Sequence, residues 1–165
     1  MKPLSLTAVQ RLLTKLTTGN ALEQAVSAAA TEADVNVPAI QSSQVVISSA
    51  PANTTDLNLQ MTYPRVCISA STSQNTRLEK FRSFSGTITL AAEISASGSF
   101  LGDVEQWIHF YVAGMESVLR GNVGDWGDGM FFGGTYDVQF QPPKSGGFGY
   151  VQSAKLACQL HVSVS

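Results

Sequence analysis

Two spacings of apolar residues dominate the second half of the chain. Over residues 99–120 apolar side chains recur every three or four positions, which predicts one long amphipathic helix that buries one face. Ser99 stands where a helix cap belongs, and Gly121 stands where a helix ends. Apolar and polar residues alternate elsewhere, which predicts strands with one buried face at 79–97, 135–141 and 150–164.

The first 33 residues have helical spacing with one interruption. Leucines and a valine fall on one face, and Gly19 stops or kinks the helix. Asn20 followed by Glu23 resembles a capping box, which restarts a helix over an Ala-rich stretch. We therefore predict an N-terminal helical segment over 5–33.

The remaining segments have weaker patterns. Residues 44–49 and 65–71 are short strand candidates, and residues 72–78 are predicted to form a polar loop. Residues 121–134 contain six glycines and are predicted to form a long connection, and residues 142–149 are predicted to form a turn.

These elements predict an α+β fold. Its sheet is antiparallel or mixed with about five strands, one long amphipathic helix packs on it, and a helical segment precedes it. The length of 165 residues fits a single domain over 1–165. Within it we assign the helical segment to 5–33 and the α/β core to 40–165.

Composition narrows the function classes. Only 13% of the residues are charged, whereas 32 are Ser or Thr, so the surface is predicted to be neutral and polar. Such a surface suits a protein that packs against copies of itself or a partner. The net charge of −2 disfavours a uniformly basic nucleic-acid binder but not a local basic patch. No apolar run reaches the ~20 residues of a membrane helix, and no signal peptide is recognisable, so we expect a cytosolic, unprocessed chain.

Few residues could carry out a reaction. Cys67 and Cys158 lie in apolar strand patterns, and we interpret both as buried thiols. His109 lies at the edge of the apolar stripe of the long helix and is expected to be partly buried and hydrogen-bonded. His161 falls on the polar face of the last strand and is expected to be exposed.

No catalytic or metal-binding motif stands out. Asp125 and Asp128 are the one carboxylate pair worth weighing, but a calcium loop needs further oxygen ligands at regular spacing, and none follow. We therefore expect no enzymatic activity, no bound metal and no cofactor.

Two groups of residues are candidate contacts. Trp126, Phe131 and Phe132 lie in the glycine-rich connection, where they either fold back onto their own domain or contact a neighbouring subunit. The cations Arg77, Lys80 and Arg82 surround the polar loop, where they either contact an acidic partner or passing DNA, or form a solvated hairpin tip.

The order of elements also follows a known pattern over residues 40–165. Tyr63-Pro64-Arg65-Val66 opens a strand, a polar loop leads to an alternating strand, Thr87 to Ser95, and a long amphipathic helix follows. A glycine-rich connection then precedes two closing strands. The helix has the spacing Leu101-x-x-Val104-x-x-Trp107-Ile108-x-x-Tyr111-Val112-x-x-Met115-x-x-Val118-Leu119, and the chain ends in alternating Leu160, Val162 and Val164. In this order the chain resembles the tail terminator proteins of long-tailed bacteriophages and their relatives at the head-to-tail junction.

The resemblance implies a structural virion protein of the tail or neck, assembled in the host cytoplasm. Six copies would form a ring that caps the tail tube, stops its polymerisation and offers the docking surface for the DNA-filled head. The implied partners are further copies of the chain, the tail tube protein and a head-to-tail connector or stopper protein. DNA would pass through the lumen without specific binding, and no membrane would be involved.

Two other functions stay open at this point. The chain could be another neck, head-completion or tail subunit of a phage virion. More distantly, its Ser, Thr and Gly content suits a small carbohydrate-binding or adhesion module.

Overall fold

The computed structural model describes residues 2–49, 62–146 and 149–165. Within these ranges the chain forms three α-helices and seven β-strands. The helices are α1 (Leu4–Thr17), α2 (Ala21–Glu32) and α3 (Leu101–Arg120). The strands are β1 (Val45–Ile47), β2 (Arg65–Asn75), β3 (Phe84–Gly98), β4 (Gly124–Gly127), β5 (Met130–Phe140), β6 (Lys144–Gly146) and β7 (Gly149–Val164).

The strands form one mixed sheet in the order β1-β2-β3-β7-β5-β4, and β6 pairs with β7 beside that path. Only β1 and β2 run parallel, and the other neighbours are antiparallel. The α+β class and the mixed sheet are therefore confirmed. The prediction of about five strands was wrong, because the sheet has seven strands within the described residues.

The centre of the sheet is the long pair β3–β7. The two strands stay in register over their length, from Phe84 opposite Val164 to Gly98 opposite Tyr150. The alternation of apolar and polar residues over most of both strands explains this register, since a slip of one residue would turn the core side chains to the other face. The structure starts β3 at Phe84, so residues 79–83 of the predicted strand belong to the preceding loop.

Helix α3 covers one face of this pair, as the sequence predicted. Its buried side chains, among them Ile108, Tyr111 and Met115, join the alternating core residues of the strands. Helix α2 packs against α3 at Gly114, where a Cβ atom would lie 2.4 Å from Val26 Cγ2. The absence of a side chain at Gly114 therefore sets the distance between the two helices.

The predicted break at Gly19 is confirmed, since this residue has φ 62° between α1 and α2. The predicted capping box is wrong. Asn20 itself has a left-handed φ of 55° and caps no backbone N–H, and its Oδ1 accepts a hydrogen bond from Ser42 Oγ at 3.0 Å instead. Ser99 does not cap α3 either, because the cap position falls on Phe100.

The glycine-rich connection at 121–134 was predicted as a loop and is largely a β-hairpin. A turn with positive φ at Gly127, Asp128 and Gly129 joins β4 to β5. A Cβ atom at Gly129 would lie 2.2 Å from the carbonyl oxygen of Ser163, so the turn lies directly against the end of β7. The glycines thus mark a tight turn and a close backbone approach rather than an open connection.

The predicted polar loop at 72–78 is wrong in its first half, since β2 continues to Asn75. Its polar residues pair with β3 through the backbone, ending with Asn75 opposite Gly86. A Cβ atom at Gly86 would lie 1.8 Å from the carbonyl oxygen of Gln74, so only glycine fits there. The loop between β2 and β3 is therefore 76–83, at the end of a polar hairpin. The turn predicted at 142–149 includes the short strand β6.

Candidate interaction surfaces

The described residues contain no group of three or more His, Cys, Asp or Glu side chains that could hold a metal ion. The prediction of buried thiols is confirmed, because Cys67 and Cys158 are both free and buried. Burial raises the pKa of the Cys67 thiol and raises that of Cys158 to about 12. Neither thiol is therefore ionised near neutral pH, where a nucleophile would need to be.

The two histidines are both exposed, which confirms His161 and corrects the partly buried placement of His109. The position on the helix explains the correction, because Ile108 is fully buried and His109, the next residue of α3, points away from the core. The His109 ring lies against Phe140, with ring centroids 4.9 Å apart.

Asp125 and Asp128 have structural partners in the β4–β5 hairpin. The Oδ1 atom of Asp125 accepts a hydrogen bond from the backbone N–H of Gly127 at 2.8 Å. Asp128 forms an ion pair with Arg11 of α1. Each carboxylate therefore supports the turn or its contact with α1, and the two do not converge on a common point.

The three aromatic residues of this hairpin are divided between the two faces of the sheet. Trp126 and Phe132 are buried, with ring centroids 5.4 Å apart, and the Trp126 Nε1–H donates to the carbonyl oxygen of Asn122 at 2.7 Å. Phe131 is 49% exposed. Trp126 and Phe132 thus fold back onto their own domain, and Phe131 stays a candidate contact.

Period-two alternation explains this division and could have been recognised in the sequence. Met130 and Phe132 are buried at alternate positions, and Phe131 between them lies opposite His161 on the other face. The alternation therefore starts before Thr135, where the sequence analysis placed the beginning of this strand.

The loop at 76–83 brings the three predicted cations together at the end of the β2–β3 hairpin, and all three are exposed. Arg82 forms an ion pair with Glu79, with Nε and Oε2 3.1 Å apart. The Ser163 hydroxyl also donates to Glu79 Oε2, at 2.6 Å, and this hydrogen bond and that of Arg82 lower the pKa of the carboxyl group. These contacts hold the base of the loop against the end of β7.

Two large apolar side chains of the same loop point into solvent. Phe81 is 97% exposed and Leu78 is 77% exposed. Each directly follows a cation, Arg77 or Lys80. We call these four residues the tip. The exposure of Leu78 and Phe81 was not recognised in the sequence, because Leu78 was assigned to the polar loop at 72–78 and Phe81 to the strand predicted at 79–97.

A second exposed apolar group lies beyond the other end of β3. Phe100 is 72% exposed and Leu101 is 37% exposed, and Asp103 and Glu105 beside them are exposed as well. Glu105 follows Leu101 by four residues within α3, so the two share a helix face, and Asp103 lies in the first turn of the helix that Phe100 precedes. We call these four residues the Phe100 patch.

A cleft of about 930 Å³ lies between α1, the loop at 76–83 and the end of β7. Arg11, Arg82, Asp128 and Ser163 line it with other polar side chains of α1. Its lining includes hydroxyl groups but no histidine or cysteine. The Arg11–Asp128 ion pair joins α1 to the β4–β5 turn at this cleft.

The sheet face opposite the core is lined mainly by small neutral side chains. Ala91 of β3 lies between Ser69 of β2 and Ala157 of β7, and Glu93 lies opposite Lys155. At the margin of the sheet, β5 beyond Phe132 has no strand on its outer side within the described part of the chain. Unpaired edges of this kind can accept a strand from another chain.

No protein-family model matches this chain, and the search of curated proteins found no significant match. Among the described residues, no helix is long and apolar enough to cross a membrane.

Proposed function

We propose that this chain is a structural subunit of a phage virion, which assembles with copies of itself into a ring of six at the end of the tail tube. The ring stops tube polymerisation, offers the docking surface for the filled head and lets DNA pass through its lumen. The observation that carries the proposal is the exposure of large apolar side chains at both ends of β3, namely at the tip and at the Phe100 patch.

Exposed groups of this size favour assembly. A side chain such as Phe81 or Phe100 gains free energy when a partner removes it from water, at roughly 25 cal/mol per Å² of apolar surface. Because only 13% of the residues are charged, repulsion between copies is weak. Assembly therefore accounts for apolar groups that an isolated monomer would leave in water.

The two groups differ in residues and in charge, which favours a ring over a symmetric dimer. A contact between two different patches is heterologous, and repetition of such a contact closes a ring or extends a filament. The sheet face opposite the core has mainly small neutral side chains, and the net charge is −2. Both features are compatible with DNA that slides past without binding.

The proposal is tested first by the mass of the purified chain in a light-scattering concentration series. A mass near six chains, or a rise toward it with concentration, supports the ring. Deletion of the gene from the phage that encodes the chain then identifies its position in the virion. Tubes of uncontrolled length support tail termination, whereas normal tails without heads indicate a head-completion protein instead.

A further inference from the structure

We propose that the tip of one copy docks on the Phe100 patch of the next copy. The tip is Arg77, Leu78, Lys80 and Phe81, and the patch is Phe100, Leu101, Asp103 and Glu105. This inference rests on the proposed self-assembly and specifies which surfaces meet in it.

Contacts at the base of the loop hold the tip in one conformation. Gly86 lets β2 and β3 approach closely at the end of the hairpin. Glu79 is held by Arg82 and Ser163, which ties the base of the loop to β7. Leu78 and Phe81 therefore point outward from an anchored loop, and less conformational entropy is lost on docking than from a free segment.

The Phe100 patch is similarly anchored. Phe100 and Leu101 join the end of β3 to the start of α3, whose next turn is buried at Val104. At Gly98 the chain passes so close to its neighbours that an added Cβ atom would lie 2.9 Å from the Trp107 ring. The apolar side chains of the patch thus project from a packed junction.

One copy cannot satisfy both surfaces by itself. The 15 residues of β3 separate the tip from the patch. At about 3.3 Å per residue, the two surfaces lie roughly 45 Å apart along the strand. Contact between them requires a second copy, and because the surfaces differ, the contact repeats from copy to copy.

Charge complementarity selects this partner. The tip presents two cations, Arg77 and Lys80, each beside one apolar side chain. The patch presents two acids, Asp103 and Glu105, close in sequence to its two apolar side chains. An anionic membrane would also attract a basic apolar loop, but it would leave Phe100 and its acids without a role. A second copy covers both surfaces in one contact.

Cross-linking between singly substituted chains tests the contact. Ser83→Cys and Ser99→Cys each place one accessible thiol beside the tip or the patch and keep all eight residues of the two surfaces, since both serines are exposed and the native Cys67 and Cys158 are buried. A mixture of the two variants treated with a short bismaleimide should yield cross-linked dimers. The matched control replaces Ser99→Cys with Ala33→Cys, an exposed position at the end of α2, and should yield few dimers.

The outcomes separate the contact from the ring. If one chain carries both substitutions, a ladder of products that stops at six supports the contact and the ring, whereas a ladder without an end supports the contact and overturns the ring. Absence of the cross-link in chains that still assemble overturns the contact and leaves the ring standing. A monomeric wild type without cross-links overturns both. Vesicle binding that Phe81→Ser abolishes, again without cross-links, overturns the contact in favour of a membrane.

Charge reversal tests the electrostatic part with fully folded variants, because the residues are exposed. Lys80→Glu in the Ser83→Cys chain should reduce the cross-link yield about 5-fold, the effect of one unfavourable pair of charges. Glu105→Lys in the Ser99→Cys chain should restore the yield, whereas Glu32→Lys, an exposed acid of α2, should not. An unchanged yield with Lys80→Glu would overturn the proposed pairing of charges.

Discussion

Two neighbouring phenylalanines of β5 provide a sharp test of how the glycine-rich segment folds. Phe132 is fully buried beside Trp126, whereas Phe131 lies on the opposite face and is 49% exposed. Replacement of either one by alanine removes the same atoms. The difference between the two variants therefore measures burial alone, since chemistry and position in the sequence are matched.

The expected magnitudes differ severalfold. Truncation of a fully buried phenylalanine costs about 3–5 kcal/mol, because transfer free energy is lost and a cavity remains. Phe131→Ala removes a half-exposed ring without a core cavity and should cost about 1 kcal/mol. Against a total stability of roughly 5–15 kcal/mol, Phe132→Ala removes a large share.

Urea unfolding followed by far-UV circular dichroism measures both effects. With a slope of about 2 kcal/mol per M urea, the midpoint should fall by roughly 1.5–2.5 M for Phe132→Ala and by about 0.5 M for Phe131→Ala. If Phe132→Ala does not fold, Phe132→Leu replaces it in the comparison, because leucine keeps most of the side-chain volume. Equal losses for Phe131→Ala and Phe132→Ala would refute the assigned register of β5.

Three further predictions concern other close contacts and one titration. Gly86→Ala should open the end of the β2–β3 hairpin, because the new Cβ atom would collide with the Gln74 carbonyl oxygen. Hydrogen exchange of the backbone amides at 72–75 should then become about 100-fold faster, while the amides of the core stay protected. Gly114→Ala should destabilise the protein by about 1–3 kcal/mol in urea unfolding despite the better helix propensity of alanine, because Val26 blocks the added methyl group. If the double variant Gly114→Ala/Val26→Ala loses less stability than the sum of the two single variants, the loss in Gly114→Ala is due to the contact with Val26. Burial raises the pKa of the Cys158 thiol from 9.0 to about 12. The unfolded chain therefore loses this proton above pH 9 while the folded chain keeps it, so stability falls between pH 9 and 12 by about 1.4 kcal/mol per pH unit from this group. Unfolding of Cys158→Ala across that range should show a shallower slope, and an unchanged slope would assign the loss to other groups.

The elements that sequence reasoning predicted well are those with a strong apolar period. The long helix was predicted over 99–120 and is observed over Leu101–Arg120. The last strand was predicted over 150–164 and is observed over Gly149–Val164. In both, one face packs against the core, so burial leaves a periodic record in the sequence.

The elements that sequence reasoning missed have no such record. Residues 72–75 of β2 are polar and exposed, and their backbone pairing with β3 is invisible to a pattern of side chains. In β4 and β5, the glycines suggested an open connection, although they serve a tight turn and a close approach to Ser163. Backbone contacts, which leave no pattern of side chains in the sequence, therefore account for both errors.

The candidate contacts were predicted only in part, for a related reason. Arg77, Lys80 and Arg82 do share one exposed loop, as their spacing indicated, but Arg82 is engaged by Glu79. The most exposed large apolar side chain among the described residues is Phe81, which charge counting overlooks. An exposed aromatic residue belongs to no period, so only the structure shows that it is uncovered.

In the proposed assembly, the position of β3 between the tip and the Phe100 patch would give the sheet a second role beyond folding. Register with β7 fixes the length of β3, and therefore the distance between the two surfaces, over 15 paired residues. Since side chains alternate with a period of two, a slip of β3 against β7 by one residue would bury the polar face and expose the core. A pairing of the two strands that is one residue longer or shorter is therefore unfavourable. A subunit that must repeat one geometry around a closed ring needs such a constant spacing between its contacts. The same alternation that forms the hydrophobic core thus also sets the spacing at which copies could meet.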